Sequence, residues 1–154
     1  MHKVVVIRHP RENKKKCSMR FLEGREGYFF DIAADGFSFD ATGYLLLEIG
    51  APQISEAHKG LPILLLDSTW HLLPRLRGKV KGDFIPVSLP PHLATAYPRK
   101  SKLFGDPSGG LATVEALYAA LRLMGQPDES VLDNYRFKEE FLKKNFPQDF
   151  EPQA

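Results

Sequence analysis

A chain of 154 residues, 43% hydrophobic and 26% charged, has the size and composition of one soluble globular domain with a core of its own. Its one cysteine, Cys17, excludes an internal disulfide and a cysteine-rich zinc site, and its five histidines show no metal spacing, so no metal is expected. The net charge of +2 conceals a segregation: residues 1–20 hold seven Lys or Arg against one Glu, residues 71–102 hold seven against one Asp, and the remainder is acidic.

Those basic blocks read either as solvated loops or as one positive face for a polyanion, with nucleic acid the favoured partner. No apolar run reaches membrane-spanning length, and the N-terminal segment lacks the apolar stretch and cleavage site of a signal peptide. A cytoplasmic protein that does not engage a membrane is expected.

Val4–Arg8 (VVVIR) reads as a first strand running into the basic loop 9-HPRENKKKCS-18. The aromatic, Asp/Gly-punctuated stretch 27–40 predicts short strands or a hairpin. Residues 42–50 carry a second buried strand, and 53-QISEAHKG-60 a short helix stopped by Gly60. The aliphatic run 63–66 predicts a strand buried on both faces and ending in Asp67. There Asp67 reads two ways. It belongs to a helix start, with Ser68 or Thr69 as the cap, or it is a carboxylate at the carboxyl end of an inner strand, where open α/β sheets place ligands.

The next helix begins near Ser68 and frays at Pro74 or Gly78, and 84–89 predicts another strand. Residues 89–110 form a long Pro- and Gly-rich loop of the kind that carries function. The clearest helix is 111-LATVEALYAALRLMG-125, with Leu111, Val114, Leu117, Leu121 and Met124 on one face, Thr113 placed to cap it, Glu115 in its first turn and Gly125 at its stop. A second amphipathic helix is predicted over 129–145. Alternating strands and helices give an α/β fold. Neither G-x-G-x-x-G nor G-x-x-x-x-G-K-S/T is present, so dinucleotide and P-loop sites have no support, and no nucleophile elbow is visible.

Four segments in order resemble the S-adenosylmethionine-dependent aminocarboxypropyltransferases of small-subunit ribosomal RNA and their DTW-domain relatives acting on tRNA uridine. The stretch 9-HPRENKKKCSMRFL-22 is similar to D-P-K-x-C-S/T-G-x-x-L, and 55-SEAHKGLPILLLDSTW-70 to S-P-x-D followed by G-hydrophobic-D-C-S-W or D-x-T-W. The stretch 89-LPPHLATAYPRKSKL-103 is similar to L-P-x-L-x-A-A-N-P-x-N-Y-G-x-x-x-L, and 111-LATVEALYAALRLMG-125 to L-S/T-x-x-E-A-x-A-A-A-L-x-x-x-G. The chain departs from these patterns at Met19, Glu56, His58 and Ala112, and around Ala96 and Tyr97, where it has an extra residue.

The resemblance implies a SPOUT-like fold: a mainly parallel sheet with flanking helices and a C-terminal trefoil knot at residues 61–154, preceded by a small basic α/β region at residues 1–60, the whole one compact unit. It implies transfer of the 3-amino-3-carboxypropyl group of S-adenosylmethionine to a uridine or pseudouridine of rRNA or tRNA by a monomer. The alternatives are a SPOUT-type RNA methyltransferase and a non-catalytic RNA-binding assembly factor. By the same resemblance Ser18, Leu46, Leu66, Trp70, Leu73, Leu89, Leu111, Ala112 and Thr113 would bind the cofactor. Asp67 would take the acceptor's proton, or act electrostatically on the sulfonium. Arg8, Arg11, Lys14, Lys15, Lys16, Arg20, Arg75, Arg77, Lys79, Arg99 and Lys100 would hold RNA phosphates. Where the residues alone are considered, Trp70 reads as core filler.

Overall fold

A computed structural model describes residues 2–11, 18–68, 71–97 and 110–150. Of the expected site residues, Lys14, Lys15, Lys16, Trp70, Arg99 and Lys100 lie outside these. The strands, in chain order, are β1 (Val4–Arg8), β2 (Tyr28–Ile32), β3 (Phe39–Asp40), β4 (Leu45–Leu47), β5 (Ile63–Asp67), β6 (Val80–Lys81) and β7 (Ile85–Val87). The helices are α1 (Leu73–Arg77), α2 (Thr113–Leu123) and α3 (Lys138–Asn145).

Among the described residues five strands form one sheet in the order β2-β1-β5-β4-β7, with every pairing parallel, while β3 and β6 make a separate parallel pair. Parallel strands need cover on both faces, which is why 4–7 and 63–66 are continuous aliphatic runs. The two-residue period divides them. Val4, Val6, Leu45, Ile63 and Leu65 face a core completed by Val114, Leu117, Tyr118 and Leu121 of α2 and by Phe141 and Leu142 of α3. Val5, Ile7, Leu46 and Leu64 face a second core with Leu76 of α1 and Val80 of β6. Strands from residues 1–60 and from 61–154 thus interleave in one sheet.

The mainly parallel α/β sheet agrees with the sequence; several local elements differ. Of the two alternatives for 27–40, short strands form and a hairpin does not, because Tyr28–Ile32 zips parallel to β1 and Phe39–Asp40 joins Val80–Lys81 in the other sheet. The helix at 53–60 is a single 3-10 turn, Glu56–His58, closed at both ends of its first turn. Ser55 Oγ accepts from Ala57 N–H at 3.3 Å, and His58 Nδ1, where the resembled motif has Asp, accepts from Ser55 N–H at 3.0 Å. Helix α1 starts at Leu73, later than Ser68, and stops at Gly78, one of the two ends expected; Pro74 lies in its first turn, where proline is tolerated because its missing N–H has no partner to lose. The helix over 129–145 is interrupted: a 3-10 turn Glu129–Leu132 precedes α3. Lys138 and Glu139 stand where an unbroken apolar face would need hydrophobic residues.

A trefoil knot is a property of an unbroken chain path, and residues 12–17, 69–70 and 98–109 lie outside the described ones. Among the described residues no helix is long and apolar enough to cross a membrane.

The amino edge of the sheet is closed by packing. Arg25 pairs with Asp128 at 3.1 Å and its guanidinium lies 5.5 Å from the Tyr28 ring, joining the turn before β2 to the segment before α3. Burial pushes the Tyr28 phenol up to about 12, against the opposing pull of Arg25.

One turn gives a stability prediction. Gly82 has φ +92°, and an added Cβ would meet the Asp40 carboxylate at 2.2 Å and the Thr42 hydroxyl at 2.5 Å. Those two groups are themselves bonded at 2.6 Å, so neither turns aside freely. Gly82→Ala is therefore expected to cost at least about 1–2 kcal/mol from the backbone alone, read as a lower urea midpoint.

Candidate functional site

β1 and β5 end in register at Arg8 and Asp67. Both residues follow the α2-facing positions by the two-residue period, so both side chains rise on the α2 side. They are 3% and 5% exposed. Arg8 Nε lies 3.6 Å from Asp67 Oδ2. The Arg8 guanidinium also donates to the Glu23 carboxylate and sits 4.8 Å from the Phe30 ring. A buried cation is thereby matched by two carboxylates, as burial of charge requires.

The other oxygen of Asp67, Oδ1, accepts from Thr113 Oγ1 at 2.8 Å. Asp67 thus docks the first residue of α2 onto the end of β5. Thr113, expected as the cap of its own helix, does not fill that role: the cap position is Ala112, and it makes no side-chain cap bond. The capping oxygen comes instead from Ser18, whose Oγ accepts from Val114 N–H at 3.2 Å across 96 positions of sequence. With its oxygen accepting there, the Ser18 hydroxyl proton remains a donor.

Glu115 supplies the rest of the junction. It is 0% exposed, and four donors converge on its carboxylate. Oε1 accepts from Ala112 N–H at 2.7 Å and Thr95 Oγ1 at 2.6 Å; Oε2 accepts from Ala96 N–H at 2.9 Å and the Tyr135 hydroxyl at 3.0 Å. The stretch after β7 is thereby tied to the start of α2 and to the C-terminal region. Asn145 fastens the same stretch, accepting from Ala94 N–H at 2.7 Å and donating to Ala94 O at 2.8 Å. Tyr97, at the end of that stretch, packs edge-on against Phe137 with ring centroids 5.6 Å apart.

The expected cofactor residues fall into two groups. Ser18, Asp67, Ala112 and Thr113 meet at the carboxyl ends of β1 and β5, and the half-buried Leu89 and Leu111 pack against the core on the same side. Leu46 and Leu66 point to the opposite face, where Leu46 is fully buried, and Leu73 on α1 is 37% exposed. The expected phosphate contacts divide too. Arg11, Arg20 and Arg75 are exposed. Arg8 is interior, Arg77 is salt-bridged to Glu48 and lies 4.6 Å from the Phe84 ring, and Lys79 Nζ reaches Ala34 O at 3.4 Å.

Sequence reasoning missed Glu23, Asn145 and the central place of Glu115. Glu115 did carry a signal: three residues before Tyr118, it lies on the buried side of α2, where an acid is unusual unless paired. Among the described residues no group of three or more His, Cys, Asp or Glu side chains could hold a metal ion.

No protein-family model and no curated protein matches the chain. Among solved structures, the fold is shared with the SAM-dependent rRNA:acp-transferase Tsr3 from Vulcanisaeta distributa. The match has 24% sequence identity and a TM-score of 0.68, over 97% of this chain and 81% of that one.

Proposed function

We propose that this chain transfers the aminocarboxypropyl group of S-adenosylmethionine to a uridine or pseudouridine base of structured RNA, ribosomal RNA foremost, releasing methylthioadenosine. The observation that carries the reading is the convergence of Ser18, Asp67 and Thr113 at the carboxyl edge of a parallel sheet, in a fold shared with a SAM-dependent rRNA:acp-transferase. That edge is where open α/β sheets hold ligands.

The polar set fits such a cofactor in its chemistry. A carboxylate, Asp67, suits a cationic centre; hydroxyls on Ser18 and Thr113 suit an amino-acid terminus; Leu89 and Leu111 suit a purine. The cofactor supplies a sulfonium whose three attached carbons are all activated, so orientation decides which one is transferred. In this reading Trp70 and Leu73 bury the methyl group and flank the adenine. In the same reading Asp67 is an electrostatic anchor more than a proton acceptor: Oδ1 accepts from the Thr113 hydroxyl, and Oδ2 faces the Arg8 guanidinium at 3.6 Å. Arg11, Arg20 and Arg75, with Lys14, Lys15, Lys16, Arg99 and Lys100, hold phosphates and give salt-dependent affinity. The SPOUT-like trefoil knot, the monomeric state and a cytoplasmic location belong to the same reading.

The test is calorimetric titration of S-adenosylmethionine, followed in parallel by fluorescence of Trp70, the only tryptophan of the chain. Affinity in the micromolar range, about −8 kcal/mol, with a Trp70 signal is expected. Methylthioadenosine as the product after adding RNA identifies arm transfer; S-adenosylhomocysteine identifies methyl transfer. Trp70→Ala is expected to abolish cofactor binding and leave RNA affinity intact. Equal loss of both makes Trp70 structural, and no binding of cofactor by the wild type removes the transferase reading.

A further inference from the structure

The 3-10 turn Arg20–Leu22 is anchored from several sides. Met19 and Leu22 are 0% and 5% exposed and belong to the α2-side core. Ser18, just before, caps α2 through Val114, and Glu23, just after, bonds the Arg8 guanidinium. Between these fixed points Phe21 is 51% exposed, and the Arg20 guanidinium lies 4.4 Å from its ring centroid.

A single exposed apolar residue is ordinary on a protein surface. Phe21 differs in its mounting, its neighbour and its position. The turn that carries it has its flanking side chains committed to the core and to the site, so the ring is presented by a fixed backbone. The residue beside it is cationic, and Arg11 and Arg20 are both exposed in the same basic segment. It stands between Ser18, which bonds the first turn of α2, and Glu23, which bonds Arg8 at the end of β1.

We infer that Phe21 and Arg20 form a stacking platform for one unpaired base of the RNA, next to the site at the strand ends. The inference rests on the RNA reading proposed above and adds what part of the RNA is recognised there. An aromatic ring with a guanidinium on it offers a base both a π-face and a cation, while Arg11 and Arg20 suit the adjoining phosphates. A base already stacked in a duplex cannot use the platform without being pulled from the helix, so the preference is for single-stranded or looped RNA.

The experiment is a fluorescence titration of the full chain with a single-stranded RNA oligonucleotide containing 2-aminopurine, and with the blunt duplex of the same sequence. Phe21→Ala is expected to weaken single-strand binding roughly 5- to 150-fold, the range of one lost base–aromatic stack. Duplex affinity, melting temperature and S-adenosylmethionine binding should stay at their wild-type values, and Phe21→Tyr should restore the single-strand affinity. Arg20→Ala should lower the salt slope on the single strand by about 0.7. Wild-type affinity in Phe21→Ala, or an equal loss on strand and duplex, overturns the platform and leaves the proposed function standing. A wild-type chain that binds neither RNA overturns the RNA reading itself. Self-association that disappears in Phe21→Ala with RNA binding unchanged overturns the platform in favour of a contact between copies of the chain.

Discussion

Replacing Glu115 by alanine is expected to lower the free energy of unfolding by roughly 3–5 kcal/mol, the cost of two or more buried donors left unsatisfied and a large part of the 5–15 kcal/mol typical of a domain. The side chain is fully buried and accepts from Ala112 N–H, Thr95 Oγ1, Ala96 N–H and the Tyr135 hydroxyl. Alanine leaves all four donors facing a cavity, at about 1–3 kcal/mol for each that finds no water or other partner. The costs are not additive, because the stretch 94–97 relaxes once released. Glutamine is the sharper variant. Each carboxylate oxygen serves one hydroxyl, which can rotate, and one backbone N–H, which cannot. Whichever way the amide is turned, its NH2 opposes either Ala112 N–H or Ala96 N–H. Glu115→Gln is therefore expected to cost about 1–3 kcal/mol in spite of its near-identical shape. Urea unfolding of both variants, with the slope unchanged and the midpoint shifted, measures this. A glutamine variant as stable as the wild type would mean that the four bonds are weaker than their geometry suggests.

How much of this was legible in the sequence follows from how local each signal is. The aliphatic runs at Val4–Arg8 and 63–66 announced buried parallel strands because burial on both faces leaves no alternation to read. Helix α2 was legible from its face and from Gly125, which takes φ +81° at its end. The cap of α2 was not, because its oxygen comes from Ser18, and no local rule connects positions 96 residues apart. The same holds for Arg8. Within a basic segment it looked like a phosphate contact, yet its place at the end of β1 turns it inward to Asp67 and Glu23. Charge composition counts cations without knowing which of them the strand period sends into the core. Arg77, on α1, is spent in another way, on Glu48. The pairing of β3 with β6 was hidden for a different reason: two-residue strands carry too little pattern to declare a partner. What the sequence did mark was Asp67, through an abrupt charge at the end of an apolar run. The structure places it at the junction of β5, Arg8 and α2.

That junction sets the role to expect of Asp67. A general base needs a free oxygen aimed at the proton it takes, and removing one typically slows the chemical step by about 10²- to 10⁴-fold. In Asp67 one oxygen faces the Arg8 guanidinium and the other accepts the Thr113 hydroxyl. Asp67→Asn keeps an acceptor for Thr113 but sets an amide against Arg8 Nε, donor against donor. The expected result is a stability loss of about 1–3 kcal/mol from the missing charged partner, together with weaker S-adenosylmethionine binding as the anchor charge disappears. The rate of a single turnover at saturating cofactor should stay within about tenfold of the wild type, short of the loss a removed base produces. Thr113→Val separates geometry from charge, since it removes the hydroxyl at nearly constant volume and leaves the Arg8–Asp67 pair in place. If docking of α2 onto β5 is what shapes the site, this variant also loses cofactor affinity while turning over bound cofactor at a near-normal rate. The opposite pattern, cofactor binding intact in Asp67→Asn and the single-turnover rate down a hundredfold or more, would make the carboxylate the proton acceptor. Arg8 and Thr113 would then be the groups that orient it, and substrate binding would have to free one of its oxygens before the reaction.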